Sequence, residues 1–153
     1  MSVINLRAYQ QRVVDQIATY LANDSIHIVA PTGSGKTILG LALIEQIRRK
    51  TLILVPSLLL KKQWLGAINQ YFPQWDISEK FLQPSQITVA TYQELYSKRQ
   101  EVGNYFTEQE IDFLVMDESH HLKKSWSELL IEARLAALQT TDTLAIIERK
   151  IWQ

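Results

Sequence analysis

The sequence predicts an α/β fold in which a mostly parallel sheet is covered by helices on both faces. Short apolar runs rich in β-branched residues, typical of strands buried on both faces, recur along the 153 residues. Longer segments with helical periodicity lie between them, and strands that alternate with helices build parallel sheets. Length, a hydrophobic fraction of 46% and the absence of repeats or long linkers predict that residues 1–153 form one domain.

The first predicted elements are a helix, a strand and a second helix. Apolar residues recur at helical spacing between Leu6 and Leu21, and turn-forming side chains at residues 23–25 end that segment. Residues 26–30 form a short β-branched run bounded by turns, which predicts a buried parallel strand. A helix over about residues 36–49 follows this strand.

The remaining predicted elements continue the alternation. Residues 51–55 repeat the buried-strand pattern up to a proline, and residues 58–71 can then form an amphipathic helix. Residues 87–90 and 113–116 are two further buried strands, each ending at polar residues. Residues 143–147 give a weaker fifth strand pattern.

Composition excludes several classes of function. Sixteen basic and sixteen acidic side chains give a net charge of zero, so any nucleic-acid contact must come from a local patch. The chain has no cysteine for disulfides or thiolate metal sites, and its three histidines form no recognisable zinc pattern. The N-terminus lacks a signal-peptide pattern, and no apolar run approaches the ~20 residues of a membrane span. We therefore expect a soluble, cytoplasmic protein.

A phosphate-binding loop is predicted at residues 30–37, which read APTGSGKT between a strand and a helix. Gly33 and Gly35 allow main-chain N–H groups to turn inward around a phosphate, and the following helix adds its positive end. Lys36 can reach the β- and γ-phosphate oxygens, and the Thr37 hydroxyl can ligate Mg²⁺. An ordinary glycine-rich turn is the weaker alternative. The candidate nucleotide-binding residues are Thr32, Gly33, Ser34, Gly35, Lys36 and Thr37, with Lys36 also catalytic.

Two carboxylates follow the strand predicted at residues 113–116, at the end where parallel sheets place their ligands. Asp117 suits a metal-binding role, and Glu118 suits the base that orients or deprotonates the attacking water. Alone, such a pair would more often belong to a solvated loop, but the phosphate loop reverses that interpretation. His120 can contact a γ-phosphate and sense the nucleotide, whereas a surface position is an equal alternative for His121.

Five segments carry a resemblance to a known family: LRAYQ (6–10), APTGSGKT (30–37), LILVPSLLLKKQW (52–64), ITVATYQEL (87–95) and FLVMDESHHL (113–122). In order and spacing they resemble the first, RecA-like motor domain of superfamily 2 DExH helicases. Within that superfamily they are similar to restriction subunits of type I and III restriction enzymes and to xeroderma pigmentosum B-type translocases. The resemblance covers about residues 5–130. It implies a RecA-like P-loop fold and DNA-stimulated ATP hydrolysis coupled to movement along, or opening of, a duplex.

The resemblance also assigns further residues. Gln10 would recognise the adenine edge of ATP with Arg7 nearby, and capping of a helix start is the alternative for Gln10. Pro56, Ser57 and Thr91 match motifs that hold nucleic-acid phosphates. Burial in the core is favoured over base stacking for Trp64 and Trp126, which lie on amphipathic helices.

The resemblance fails near the C-terminus. Relatives carry a coupling segment on the strand after the carboxylates, and at residues 143–147 that segment is missing or degenerate. We also expect this chain to lack a second RecA-like domain, whose arginines stabilise the transferring phosphate. We therefore expect ATP binding with slow turnover until a second domain or subunit is supplied. A non-catalytic nucleotide- or nucleic-acid-binding remnant remains the alternative, whereas an unrelated phosphate-loop kinase or transporter ATPase fits less well.

Overall fold

Helices and strands alternate in the computed structural model, which describes residues 5–15, 27–30, 35–101, 105–111, 113–117 and 146–149. The helices are α1 (Ala8–Asp15), α2 (Lys36–Ile47), α3 (Leu58–Tyr71), α4 (Tyr92–Ser97) and α5 (Tyr105–Glu108), with a 3₁₀ turn at Arg99–Glu101. The strands are β1 (His27–Ala30), β2 (Thr51–Val55), β3 (Ile77–Ser78), β4 (Ile87–Thr91), β5 (Phe113–Met116) and β6 (Ile146–Arg149).

Every strand pair among the described residues is parallel. One sheet has the order β3-β4-β2-β5, and β1 pairs with β6 in a second sheet. Strand β6 also contacts β5, which brings the two sheets side by side. In the larger sheet Thr51 lies opposite Ile87 and Phe113, while Val55 lies opposite Thr91. The parallel α/β fold predicted from the alternating elements is therefore confirmed.

The central strands are buried along their whole length. All five residues of β2, all five of β4 and all four of β5 are buried. A sheet with one solvated face would instead show alternating burial. This continuous burial is what the β-branched apolar runs predicted.

The core lies where α2 and α3 pack on this sheet. Residues 39–44 of α2 are all buried, so this helix is enclosed around most of its circumference. On α3, Trp64 and Ile68 face the same cluster, which also contains Val55 of β2 and Val115 of β5. Because α2 is held on several sides, its first residues have a fixed position relative to the strands.

The direction of α2 follows from what lies at its end. Arg48, just after α2, and Ile87, the first residue of β4, line one cavity of about 300 Å³. The end of α2 therefore lies at the amino ends of the strands. Its 12 residues span ~18 Å, and a five-residue strand spans ~16 Å. The start of α2 thus lies towards the carboxyl ends of the strands.

Several element bounds differ from those predicted. Helix α2 ends at Ile47 because Arg48 adopts a left-handed conformation (φ 57°) and donates its N–H to Ile44 O. Strand β6 begins three residues later than expected, and residues 143–145 lie outside the described part. The sequence did not predict the short elements β3, α4 and α5. No helix in the described ranges is long and apolar enough to cross a membrane.

Candidate functional site

The start of α2 is built as an anion-binding end. Gly35 precedes the helix with φ 80° and ψ 35°, a left-handed conformation that favours glycine. Gly35 has no side chain to cap the first N–H groups of α2, and such groups at a helix start bind anions. Lys36 is the first residue of α2, and Thr37 lies half-buried in its first turn. This is the position that a phosphate loop requires of both residues.

The side chain of Gln10 joins α1 to this loop. Its Oε1 accepts a hydrogen bond from Arg7 N at 2.8 Å, and its Nε2 donates to Gly35 O at 2.9 Å. Gln10 is only 2% exposed, whereas Arg7 is exposed. The bond to Arg7 N is the cap of a helix start, and the bond to Gly35 places the amide beside the loop. The adenine role of Gln10 and Arg7 stays a prediction.

Asp117 is held in place by groups from three elements. It is fully buried, and its Oδ2 accepts a hydrogen bond from Trp64 Nε1 at 2.9 Å. Its main-chain oxygen accepts from the Tyr92 hydroxyl at 2.8 Å, and its N–H donates to Leu54 O at 2.9 Å. The carboxylate therefore has a defined position directly after β5.

The start of α2 and Asp117 lie towards the same edge of the sheet. Asp117 follows the carboxyl end of β5, and α2 starts towards the carboxyl ends of the strands on which it packs. A hydroxyl from Thr37 and a carboxylate from Asp117 are the hard oxygen ligands that Mg²⁺ prefers. Together with the uncapped helix start, this donor set fits a magnesium nucleotide.

Several predicted site residues cannot be placed. Thr32, Gly33, Ser34, Glu118 and His120 lie outside the described residues, as do His121, Trp126 and the side chain of Lys36. Their assigned roles stay predictions from the sequence.

Pro56, Ser57 and Thr91 line a second cavity, of about 300 Å³. They come together because Val55 and Thr91 are register partners, so β2 and β4 end side by side. Ser57 Oγ accepts from Leu60 N at 3.2 Å and caps α3, and Thr91 Oγ1 accepts from Glu94 N at 3.0 Å and caps α4.

An ion pair that the sequence did not predict lies beside this cavity. Lys61 Nζ lies 2.9 Å from Glu94 Oε1, and it also donates to Glu79 O at 3.0 Å. Lys61 is 7% exposed, whereas its neighbour Lys62 is exposed. Of the two lysines in this motif, only Lys62 therefore lies on a solvated face.

The partners of Asp117 were also missed. The expectation that Trp64 is buried rather than stacked on bases is confirmed, since its exposure is 0%. Buried tryptophan N–H and tyrosine O–H groups normally find a polar partner. That rule was the only signal that Trp64 and Tyr92 would reach a polar site.

Known proteins share sequence motifs and fold with this chain. Residues 3–144 match the family described as type III restriction enzyme, res subunit. The chain belongs to this family. It is 36% identical over 121 residues to the DNA 3'-5' translocase XPB2 of Sulfurisphaera tokodaii, covering 78% of this chain and 26% of that protein. It is 31% identical over 150 residues to a putative DNA 3'-5' helicase Rad25 of Halobacterium salinarum, covering 94% and 23%.

Solved structures show the same fold for this res-subunit family member. The UvsW helicase from Bacteriophage T4 superposes with a TM-score of 0.66 at 17% identity, covering 94% of this chain and 52% of that one. The SWI2/SNF2 ATPase core of Sulfolobus solfataricus superposes with a TM-score of 0.67 at 16% identity, covering 97% of this chain and 32% of that one. These structures confirm the RecA-like fold expected from the sequence. The family match and the identity to the XPB2 and Rad25 proteins confirm the expected membership of superfamily 2. The chain spans about a quarter of the length of the two relatives.

Proposed function

We propose that this chain is the single RecA-like, ATP-binding half of a DExH-type DNA helicase or translocase. One observation carries the proposal: the uncapped start of α2 and the carboxylate of Asp117 lie towards one sheet edge, and Gln10 is bonded to Gly35 there. The relatives are named as DNA translocases and helicases, which supports DNA as the nucleic acid.

In this proposal each residue around the nucleotide has a defined task. Lys36 contacts the β- and γ-phosphates, while Thr37 and Asp117 hold Mg²⁺, which supplies positive charge against the oxygens of the transferring phosphoryl group. Glu118 orients or deprotonates the attacking water. The rigid placement of Asp117 by its hydrogen bonds supports its share of this work.

Gln10 and Arg7 would bind the adenine, and His120 would contact the γ-phosphate. The bond from Gln10 to Gly35 supports the first assignment, because it puts an amide next to the proposed phosphate loop. The remaining loop residues, Thr32, Gly33 and Ser34, would supply main-chain N–H groups to the phosphates.

The cavity beside Pro56 would hold the phosphate backbone of duplex DNA. Ser57 and Thr91 accept hydrogen bonds through their hydroxyl oxygens. A hydroxyl that accepts in this way can still donate its own hydrogen to a phosphate oxygen. The start of the 14-residue helix α3 adds its positive end. A local patch of this kind suits a chain with zero net charge.

Turnover would need a second RecA-like domain or subunit. Arginines supplied across such an interface accelerate hydrolysis by about 10³ to 10⁵ in other nucleotide hydrolases. We therefore expect the chain alone to bind ATP and hydrolyse it slowly. A non-catalytic binding module is the competing function, and absence of DNA-stimulated turnover after a complementary domain is added would select it.

A nucleotide-binding titration tests the proposal. Wild type should bind Mg²⁺-ATP, and Lys36→Ala should lose at least about tenfold in affinity, because a charged hydrogen bond is worth ~1.5–3 kcal/mol. Glu118→Gln should bind ATP like wild type but hydrolyse it more slowly. Lys98→Ala, which removes an exposed lysine after α4, is the matched control and should change nothing. No nucleotide uptake by wild type, or equal affinities for Lys36→Ala and wild type, would refute the proposal.

A further inference from the structure

We propose that Trp64 and Tyr92 are positioning residues that hold Asp117 for the magnesium nucleotide and link it to the nucleic-acid cavity. The inference rests on the proposed function and names the route by which its two sites influence each other. Neither residue touches the nucleotide in this scheme, since both act through Asp117.

The bond between Trp64 and Asp117 fixes the direction of the carboxylate. The indole Nε1 donates to Oδ2 at 2.9 Å, and both residues are 0% exposed. Hydrogen bonds to an ionised acceptor are about twice as strong as neutral ones, and low local polarity strengthens them further. Rotation of the carboxylate away from this direction would break the bond in a buried site. Trp64 thereby selects one orientation of a proposed metal ligand.

The bond from Tyr92 acts on the backbone of the same residue. Its hydroxyl donates to Asp117 O at 2.8 Å, and Tyr92 is 0% exposed. Asp117 is thus bound by side chain to α3 and by main chain to α4. A displacement of either helix must move Asp117 or break a buried hydrogen bond.

The same two helices begin at the proposed nucleic-acid cavity. Ser57, which caps α3, lies seven residues before Trp64, about two helical turns or ~10 Å along the axis. Thr91, which caps α4, directly precedes Tyr92. Both caps line the cavity, so a phosphate bound there would pull on the helices that hold Asp117.

The Lys61–Glu94 pair makes α3 and α4 move together. Lys61, which lies between Ser57 and Trp64 on α3, is 2.9 Å from Glu94, two residues after Tyr92 on α4. A contiguous path therefore runs from Ser57 and Thr91, through the paired helices α3 and α4, to the carboxylate of Asp117. Coupling between two sites is reciprocal, so DNA and Mg²⁺-ATP should alter each other's affinity equally.

The magnesium dependence of ATP binding separates positioning from general destabilisation. ATP affinity is measured on the full chain with Mg²⁺ and with a chelator for wild type, Trp64→Phe and Tyr92→Phe. Trp64→Phe keeps a buried ring but lacks the N–H, so it should lose roughly tenfold in Mg²⁺-ATP affinity and little with chelator. Tyr92→Phe should change in the same direction. Trp75→Phe, whose ring stacks on Phe72 at 4.1 Å, is the control and should match wild type in both conditions.

Nuclear magnetic resonance gives a second test that needs no variant to fold. In ¹⁵N-labelled wild type, the Trp64 indole N–H resonance should shift when Mg²⁺-ATP is added and shift less with ATP and chelator. The Trp75 indole resonance is the internal reference. An unmoved Trp64 resonance under saturating Mg²⁺-ATP would overturn the inference.

Coupling is tested by repeating the Mg²⁺-ATP titration with a short DNA duplex present. The ratio of affinities with and without duplex should differ from one in wild type and return towards one in Trp64→Phe. If wild type takes up no nucleotide, the proposed function fails together with the inference. If wild type binds nucleotide but the variants keep its magnesium dependence and its duplex ratio, the inference alone fails.

Discussion

The side-chain amide of Gln10 donates a hydrogen bond to the carbonyl oxygen of Gly35, at 2.9 Å and across 25 residues of sequence. The same carbonyl accepts the N–H of Leu39, the first main-chain bond of α2. The N-terminal helix is thus fastened to the residue at which the phosphate loop becomes a helix. A substitution at Gln10 or at Gly35 should therefore affect both α1 and the start of α2.

Gly35→Ala should destabilise the protein by about 2 kcal/mol, because a left-handed conformation costs an L residue ~1–2 kcal/mol and a hydrogen bond is disturbed. Gly35 has φ +80°, and an added Cβ would lie 2.7 Å from Gln10 Nε2. Chemical denaturation measures the free energy of unfolding. We also expect weaker Mg²⁺-ATP binding, since the added Cβ would displace the side-chain amide of Gln10.

The matched control for Gly35→Ala is Gly66→Ala. Gly66 lies exposed within α3, and an added Cβ there meets nothing within 4 Å. Alanine in a helix interior is favoured over glycine by about 0.5–1 kcal/mol, so this variant should gain stability. Equal effects of the two substitutions would show that conformation and space at Gly35 are not the cause.

Gln10→Ala decides between the two roles of this residue. It removes the bonds to Arg7 N and Gly35 O, and we expect a loss of about 1–2 kcal/mol of unfolding free energy. If Gln10 also reads adenine, the ratio of ATP to GTP affinity should fall towards one. A loss of stability with an unchanged ATP-to-GTP ratio would assign Gln10 to capping alone.

The sequence predicted those elements whose signals are local. The helix predicted at residues 58–71 has the observed bounds, because Pro56 and the capping Ser57 mark its start. The strand at residues 51–55 was likewise predicted in full, since a continuous apolar run ends at that proline. Local chemistry sufficed in both cases.

The elements and contacts that were missed depend on distant residues. Helix α4 has only six residues, too few for helical periodicity, and Tyr92 ties it to Asp117, 25 residues away. The Trp64–Asp117 bond spans 53 residues. The motifs therefore indicated the candidate site residues, but only the folded chain shows that Trp64 and Tyr92 are bonded to one of them, Asp117.

Tyr105 should make the protein sensitive to alkaline pH. Burial raises the pKa of its hydroxyl above the usual range, and its ring stacks on Phe81 at 4.1 Å. Above about pH 10 the unfolded chain loses this proton while the folded chain keeps it. Stability should then fall by up to about 1.4 kcal/mol per pH unit. In Tyr105→Phe this part of the slope should vanish, which urea titrations at neutral and alkaline pH would measure. If the free energy of unfolding falls equally with pH in wild type and Tyr105→Phe, Tyr105 is not the cause of the alkaline sensitivity.

Lys61→Met should weaken DNA binding, whereas Glu94→Gln should not. Glu94 lines the cavity proposed for phosphate, and Lys61 neutralises it at 2.9 Å. Without Lys61 the carboxylate would repel phosphate, so affinity for duplex should fall. The neutral amide introduced by Glu94→Gln should instead keep or raise that affinity. Fluorescence anisotropy at one fixed salt concentration measures both.

The stability of Lys61→Met is compared with that of Lys62→Met as a control. Lys61→Met should cost about 1–3 kcal/mol, between the values for exposed and buried pairs, because Glu94 is only partly buried. Lys62→Met changes an exposed neighbour and should stay within about 0.5 kcal/mol of wild type. Equal DNA affinities for Lys61→Met and Glu94→Gln would show that charge in the cavity does not act on DNA.

Ser57 allows capping to be separated from phosphate binding. Its Oγ accepts from Leu60 N at 3.2 Å, so Ser57→Ala should cost about 1 kcal/mol of stability. Aspartate caps helices as well as serine does, so Ser57→Asp should keep wild-type stability. It also places a negative charge at the cavity lined by Pro56 and Thr91. Duplex affinity should therefore fall more in Ser57→Asp than in Ser57→Ala, although Ser57→Asp is the more stable variant.

A serine that only caps α3 could not make the more stable variant, Ser57→Asp, bind duplex more weakly than Ser57→Ala. If Ser57 only caps α3, then DNA affinity should follow helix stability, and Ser57→Ala should bind more weakly than Ser57→Asp. If phosphate binds at the cavity, repulsion by the carboxylate outweighs the preserved cap, because two like charges oppose each other where the hydroxyl would have donated a hydrogen bond. Raising the salt concentration should narrow the gap between the two variants, since screening weakens repulsion between partly exposed charges.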